Sequence, residues 1–237
     1  MRWALVTAGA RGLGEAIAAH LGRAGWGVII HYKTSGERAE ALSREIRAAG
    51  GSARLVQADL AGRTGREALM AEVARLLPAG KLDLLVNNLG VYPLEHLLET
   101  TLDGFEETFT LTCTAVFHLT QLALPLLREA APGASVINLG DSGADRVEAH
   151  DDATPYHIAK LGVHVLTRSY AQRLMPEGIT VNMISPGFLA NSVGEPVPPL
   201  PAGRPGSFED ILQALDYLLG ARYVSGANLV VSGGWNL

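Results

Sequence analysis

Two residues four apart in the chain, Tyr156 and Lys160, could share acid–base chemistry. On a helix, positions i and i+4 lie on one face, so the phenol and the ammonium would sit side by side. A neighbouring ammonium favours the phenolate and draws the hydroxyl toward useful proton transfer. The spacing is common, and a tyrosine covering a lysine stem would show it too. A second segment, Thr7-Ala8-Gly9-Ala10-Arg11-Gly12-Leu13-Gly14, has glycines where a backbone could approach a pyrophosphate. If a helix opens there, its free N–H groups and dipole favour an anion.

The surrounding elements decide whether these segments meet. Short apolar runs at Trp3–Thr7, Val28–Tyr32, Arg54–Gln57, Leu82–Asn87, Ser135–Leu139, Thr180–Ile184 and Asn228–Val231 read as seven strands. Between them, helical periodicity predicts helices near Gly14–Ala24, from a Ser35 cap to Ala49, and over Arg66–Leu77, Phe105–Glu129, Pro155–Met175 and Phe208–Leu219. Continuous rather than alternating apolar runs indicate strands buried on both faces, as in a parallel sheet flanked by helices. The expected fold class is therefore α/β: a Rossmann-type doubly wound parallel sheet of about seven strands, forming one domain over residues 1–237. Its ligand cleft would lie at the strands' C-terminal ends. The Pro- and Gly-rich stretch Phe188–Gly206 reads as a loop beside that cleft, because a strand follows it.

Composition narrows the function classes. Among 237 residues, 48% are hydrophobic and the formal net charge is −5. A chain of this kind can bury a sizeable core and carries no global basic field for nucleic acid or anionic lipid. One cysteine, Cys113, excludes an intramolecular disulfide, and no His, Cys, Asp or Glu cluster has metal-ligand spacing. No signal-peptide pattern and no apolar run approaching a membrane span is evident. The expectation is a cytoplasmic protein acting on a small molecule, without metal, membrane or nucleic acid. Cys113 reads as a small buried hydrophobe, and His118, His157 and His164 as surface or packing residues.

The order of motifs along the chain resembles the short-chain dehydrogenase/reductase family. The glycine turn is followed by Asn87-Asn88-Leu89-Gly90 after the fourth strand, Tyr156…Lys160 after the fifth, and Ser185-Pro186-Gly187 after the sixth. The resemblance spans essentially the whole chain and implies an NAD(P)-dependent oxidoreductase. It makes Tyr156 the proton donor or acceptor, with Lys160 binding the nicotinamide ribose and lowering the Tyr pKa. It places Thr7, Gly9, Arg11, Gly12, Leu13, Gly14, Asn88, Leu89, Gly90, Pro186 and Gly187 around the cofactor, and Asp59-Leu60 at the adenine, with a helix N-cap the rival reading of Asp59. It also implies a homo-oligomer, a dimer or tetramer formed through the two long helices.

Cofactor choice is argued locally. An acid after the second strand would accept from the ribose 2′-hydroxyl of NAD and repel a 2′-phosphate. Here that position reads Tyr32-Lys33-Thr34-Ser35, with no acid before Glu37 and with Arg38 following, which favours NADP(H).

Four departures stand out. Ala8 replaces the family's first glycine, and Thr112 sits where many members carry a catalytic Asn. Little chain follows Pro186-Gly187 to form a substrate lid. The substrate-orienting Ser at the end of strand five is the fourth, since Asp141 or Ser142 could fill its place, 15 and 14 residues before Tyr156. An Asp there resembles the pteridine reductases, as do His31-Tyr32…Ser35 and Tyr92-Pro93, although Gly12 stands where that branch often has Arg. Tyr92 could stack on a flat heterocycle, and Phe188 would face the substrate. A pterin-like substrate follows if Asp141 acts, and a 3-oxoacyl or other small carbonyl if Ser142 does. The changes at Ala8, Leu89 and Thr112 keep open another class, a nucleotide-binding regulatory or scaffold protein that has lost turnover.

Overall fold

Alternate residues of each strand point to opposite faces of the sheet, and here both faces are apolar. In β1 (Trp3–Val6), Ala4 and Val6 join one core while Trp3 and Leu5 join the other. The computed structural model of the protein describes residues 1–192 and 199–235. The other strands are β2 (Gly27–Tyr32), β3 (Ser52–Gln57), β4 (Leu84–Asn87), β5 (Ser135–Leu139), β6 (Thr180–Pro186) and β7 (Asn228–Val231). All seven run parallel in the order β3-β2-β1-β4-β5-β6-β7.

Helices α1 (Gly12–Arg23), α2 (Gly36–Ala48) and α7 (Phe208–Gly220) bury Ile17, Leu21, Leu42 and Leu215 on one face. On the other, α3 (Arg63–Leu76), α5 (Ala115–Ala130) and α6 (Thr154–Leu174) bury Leu69, Leu119, Leu127 and Leu174 against Leu5, Ile29, Leu85 and Val136. Each such side chain contributes roughly 1.5–3 kcal/mol by leaving water. Chain order reverses direction between β1 and β4, the switch point at whose C-terminal strand ends sheets of this kind bind their ligands.

The long helix expected over Phe105–Glu129 is three pieces: α4 (Leu102–Phe109), a wide π turn over Thr110–Thr114, and α5. Such turns insert a residue and re-aim the side chains within them. Taken together, Leu102–Ala130 is long and apolar enough to cross a membrane, which the sequence reading did not foresee. Half of its most apolar window is buried within the fold, because the helix packs across the sheet. In the loop after β6, Leu189 and Gly206 bridge to close its base, while residues 193–198 of the expected cleft-side loop lie outside the described residues.

Candidate active site

The turn between β1 and α1 is built for close approach. Gly12 has φ +54°, and a side chain on Gly14 would meet the Ala8 carbonyl and Asn88 Nδ2, both at 2.4 Å. Asn88 donates from Nδ2 to the carbonyls of Thr7 (3.1 Å) and Ala8 (3.3 Å). Thr7 Oγ1 in turn accepts from the backbone N–H of Asn88 (2.9 Å) and Leu89 (3.2 Å). The segments after β1 and β4 are thereby locked to each other. The N-cap residue Arg11 makes no side-chain capping hydrogen bond, which leaves the first N–H groups of α1 without that partner. This cradle fits a dinucleotide pyrophosphate.

Pro155 in the first turn of α6 starts the helix just ahead of Tyr156. One turn on, Lys160 is buried and donates from Nζ to the Leu139 carbonyl at 2.6 Å, at the end of β5. Burial pulls its pKa down to about 8 against the opposing pull of Asp141. The ammonium lies 5.4 Å from the Tyr156 ring centroid. The expected drop in the Tyr156 pKa does not occur: burial first, then the Asp141 carboxylate, push it well above the usual value. Tyr156 is hydrogen-bonded to Asp141, so its proton is held on the phenol.

Beyond Gly140 at the end of β5, Asp141 and Ser142 part company. Asp141 is half-buried, and its Oδ1 accepts from the Gly143 N–H at 3.0 Å. Ser142 is 3% exposed, and its hydroxyl has no hydrogen-bond partner among the described residues. A cavity of about 390 Å³ opens beside Tyr156, walled by Asp141, Tyr92, His157, Phe188 and Trp235. Asp141 borders this cavity and Ser142 does not. Tyr92 meets the Tyr156 ring edge-on at 4.8 Å, and Phe188 meets Trp235 the same way at 6.1 Å.

Comparison with known proteins finds reductases among the relatives of this chain. A family model described as enoyl-(acyl carrier protein) reductase matches residues 7–236. The 3-oxoacyl-(acyl-carrier-protein) reductase FabG of Staphylococcus aureus is 32% identical over 98% of this chain and 96% of its own. The chain belongs to the short-chain dehydrogenases/reductases. Among solved members, a blue fluorescent protein from a metagenomic library, in complex with NADPH, superposes with a TM-score of 0.91. It is 32% identical, covering 100% of this chain and 98% of that one. The angucycline C-6 ketoreductase LanV with bound NADP gives a TM-score of 0.88 at 30% identity, covering 98% and 95%.

In this short-chain dehydrogenase/reductase the unusual residues have local explanations. Ala8 takes φ +47°, the left-handed conformation that a glycine would adopt without strain. Thr112 is buried inside the π turn, where its Oγ1 accepts from the Val91 N–H at 3.5 Å. It therefore braces the segment after Gly90, where a Cβ would lie 3.5 Å from Lys160 Nζ.

At the β2 end, Lys33 pairs with Asp59 at 2.8 Å, and Arg38 pairs with Glu15 and Glu45. Neither cation is free, although the Lys33–Asp59 pair is solvent-exposed and costs little to break. Ser35 precedes α2 without a side-chain capping hydrogen bond.

One histidine departs from its sequence reading. His157, expected to be a surface or packing residue, lines the cavity and stacks on His150 with ring centroids 3.6 Å apart. The helical pattern placed His157 beside Tyr156, but the return of the loop carrying His150 is a tertiary event. Leu189, Asn191, Ser192 and Trp235 also line the cavity, and no local motif marks them.

Proposed function

We propose that this oxidoreductase uses NADP(H) to reduce a C=O or C=N group in a flat substrate that carries an N–H or O–H donor, as a pterin-like heterocycle does. The observation behind this reading is that Asp141, not Ser142, faces the cavity beside Tyr156. An ionised carboxylate only accepts hydrogen bonds, so it cannot hold a carbonyl oxygen as a serine hydroxyl would. It can instead hold a substrate donor adjacent to the reacting bond. The aromatic walls, Tyr92, Phe188 and Trp235, suit a planar ring.

When bound, the nicotinamide supplies or accepts the hydride. Thr7, Gly9, Arg11, Gly12, Leu13, Gly14, Asn88, Leu89 and Gly90 would hold the dinucleotide, with Pro186 and Gly187 near the nicotinamide. Tyr32, Lys33, Thr34 and Ser35 would meet the 2′-phosphate, and Asp59-Leu60 the adenine side. Tyr156 then gives its proton to the substrate, and Lys160, 4% exposed behind it, holds positive charge near the phenolate that forms. A small-carbonyl or 3-oxoacyl substrate is the second reading, favoured by the similarity to FabG.

A cofactor-oxidation screen with pterins, polycyclic quinones and 3-oxoacyl thioesters separates the two. Turnover is expected with the ring compounds, with tryptophan quenching by NADPH stronger than by NADH. A preference for NADH defeats the cofactor assignment, and turnover of thioesters alone defeats the substrate assignment.

The proposal includes assembly of the cytoplasmic enzyme into a homo-oligomer. Phe117 (45% exposed), Ile158 (44%) and Val165 (58%) form an apolar strip across α5 and α6 that a second copy would cover. Val165→Asp should then shift the species seen by light scattering toward monomer. An unchanged mass would place the contact elsewhere.

A further inference from the structure

The strained turn at Ala8 has a specific partner. The Ala8 N–H donates to Nδ1 of His31 at 3.0 Å, and His31 Nε2 lies 3.1 Å from the Ala58 carbonyl. An amide can be accepted only by a ring nitrogen with a free lone pair, so the proton sits on Nε2 and is donated to Ala58. The ring is 2% exposed and neutral in this tautomer. It spans from the cofactor turn after β1 to the loop after β3 that carries Asp59. Beside it, Gly9 N–H donates to the His31 carbonyl at 2.8 Å, so the same residue holds the turn from backbone and side chain alike.

We propose that His31 is a positioning residue for the dinucleotide: its neutral imidazole clamps the left-handed Ala8 turn and links it to the loop after β3. Protonation would place an N–H against the Ala8 N–H and open the clamp. Burial already lowers the His31 pKa, opposed by its hydrogen bond to Ala58 and by Asp59, which is paired with Lys33. The clamp is therefore closed at neutral pH and fails as pH falls through that lowered value.

This inference rests on the dinucleotide reading, and its test separates the two. NADP⁺ is titrated calorimetrically into the wild type, His31→Asn and His31→Leu at about pH 8 and about pH 5.5. An asparagine amide oxygen can take the place of Nδ1, does not titrate and cannot reach Ala58. A leucine removes the acceptor and strands a buried donor. Near pH 8, His31→Asn should bind within about three-fold of wild type and His31→Leu about ten-fold or more weakly.

On acidification the wild type should weaken more than His31→Asn, the phosphate's own titration being common to both. Equal binding by His31→Leu, or parallel pH profiles for wild type and His31→Asn, overturns the proposal. In the cofactor-free wild type, the Ala8 amide ¹⁵N–¹H signal should move with the His31 ring titration. A signal that ignores this titration defeats the clamp even if the leucine variant does not fold. Binding of neither NADP⁺ nor NAD⁺ by the wild type overturns the dinucleotide reading, and the amide signal then judges the clamp alone.

Discussion

Tyr156→Phe should lower kcat by about 10²–10⁴-fold while leaving the Kd for NADPH within a few-fold of wild type. The substitution removes one oxygen and keeps the ring that packs edge-on against Tyr92 at 4.8 Å. What is lost is the proton that Asp141 holds on the phenol. Stopped-flow single turnover with NADPH separates chemistry from binding. Retention of more than a tenth of wild-type kcat would remove Tyr156 from the acid role, whatever its position. The pH profile carries a second signature. Because burial and Asp141 raise the Tyr156 pKa, the protonated, donating form persists through neutral pH in the reductive direction. Activity should decline only on the alkaline side.

Asp141→Ala should cost about 10²-fold in kcat/KM, against a few-fold at most for Ser142→Ala. The physical distinction is access: Asp141 borders the cavity, and the Ser142 hydroxyl is buried away from it. Asp141→Asn is the informative companion, since it keeps the shape and removes the charge. Without the carboxylate the Tyr156 pKa falls, so the alkaline limb of the reductive profile should move to lower pH. The Lys160 pKa, which Asp141 also holds up, falls further. Equal losses at Asp141 and Ser142 would mean that the loop rearranges when substrate binds. A larger loss at Ser142 would return the substrate class to small carbonyls.

Much of the scaffold was legible in the chain. Continuous apolar runs such as Leu82–Asn87 and Thr180–Ile184 gave buried strands, and their cadence gave the doubly wound parallel sheet. The order of Gly12, Asn88, Tyr156 and Lys160 along that cadence pointed to the family: Gly12 and Asn88 follow β1 and β4, and Tyr156 and Lys160 lie on α6, the helix after β5. The interruption of the long helix at Thr110–Thr114 was not legible, since its apolar pattern continues through the π turn. Nor was the cavity wall at Trp235, which lies far along the chain from Tyr156.

The sequence by itself determined which residue types arrive at the crevice and on which strand, since side-chain periodicity and glycine placement are local properties. Only the tertiary structure puts Asp141 on the cavity wall and buries the Ser142 hydroxyl, adjacent residues that no spacing rule separates. The backbone turn after β5 sends one side chain to the cavity and the other inward. The same holds for the direction of the Tyr156 pKa. Helical spacing predicted a lysine that lowers it, but Lys160 Nζ donates to Leu139, and burial with Asp141 prevails. It holds again for His31, whose role depends on Ala8 and Ala58 arriving from two other strands. Charges and hydrogen bonds act through space at a few ångströms, and in a parallel sheet the groups within that range come from distant parts of the chain.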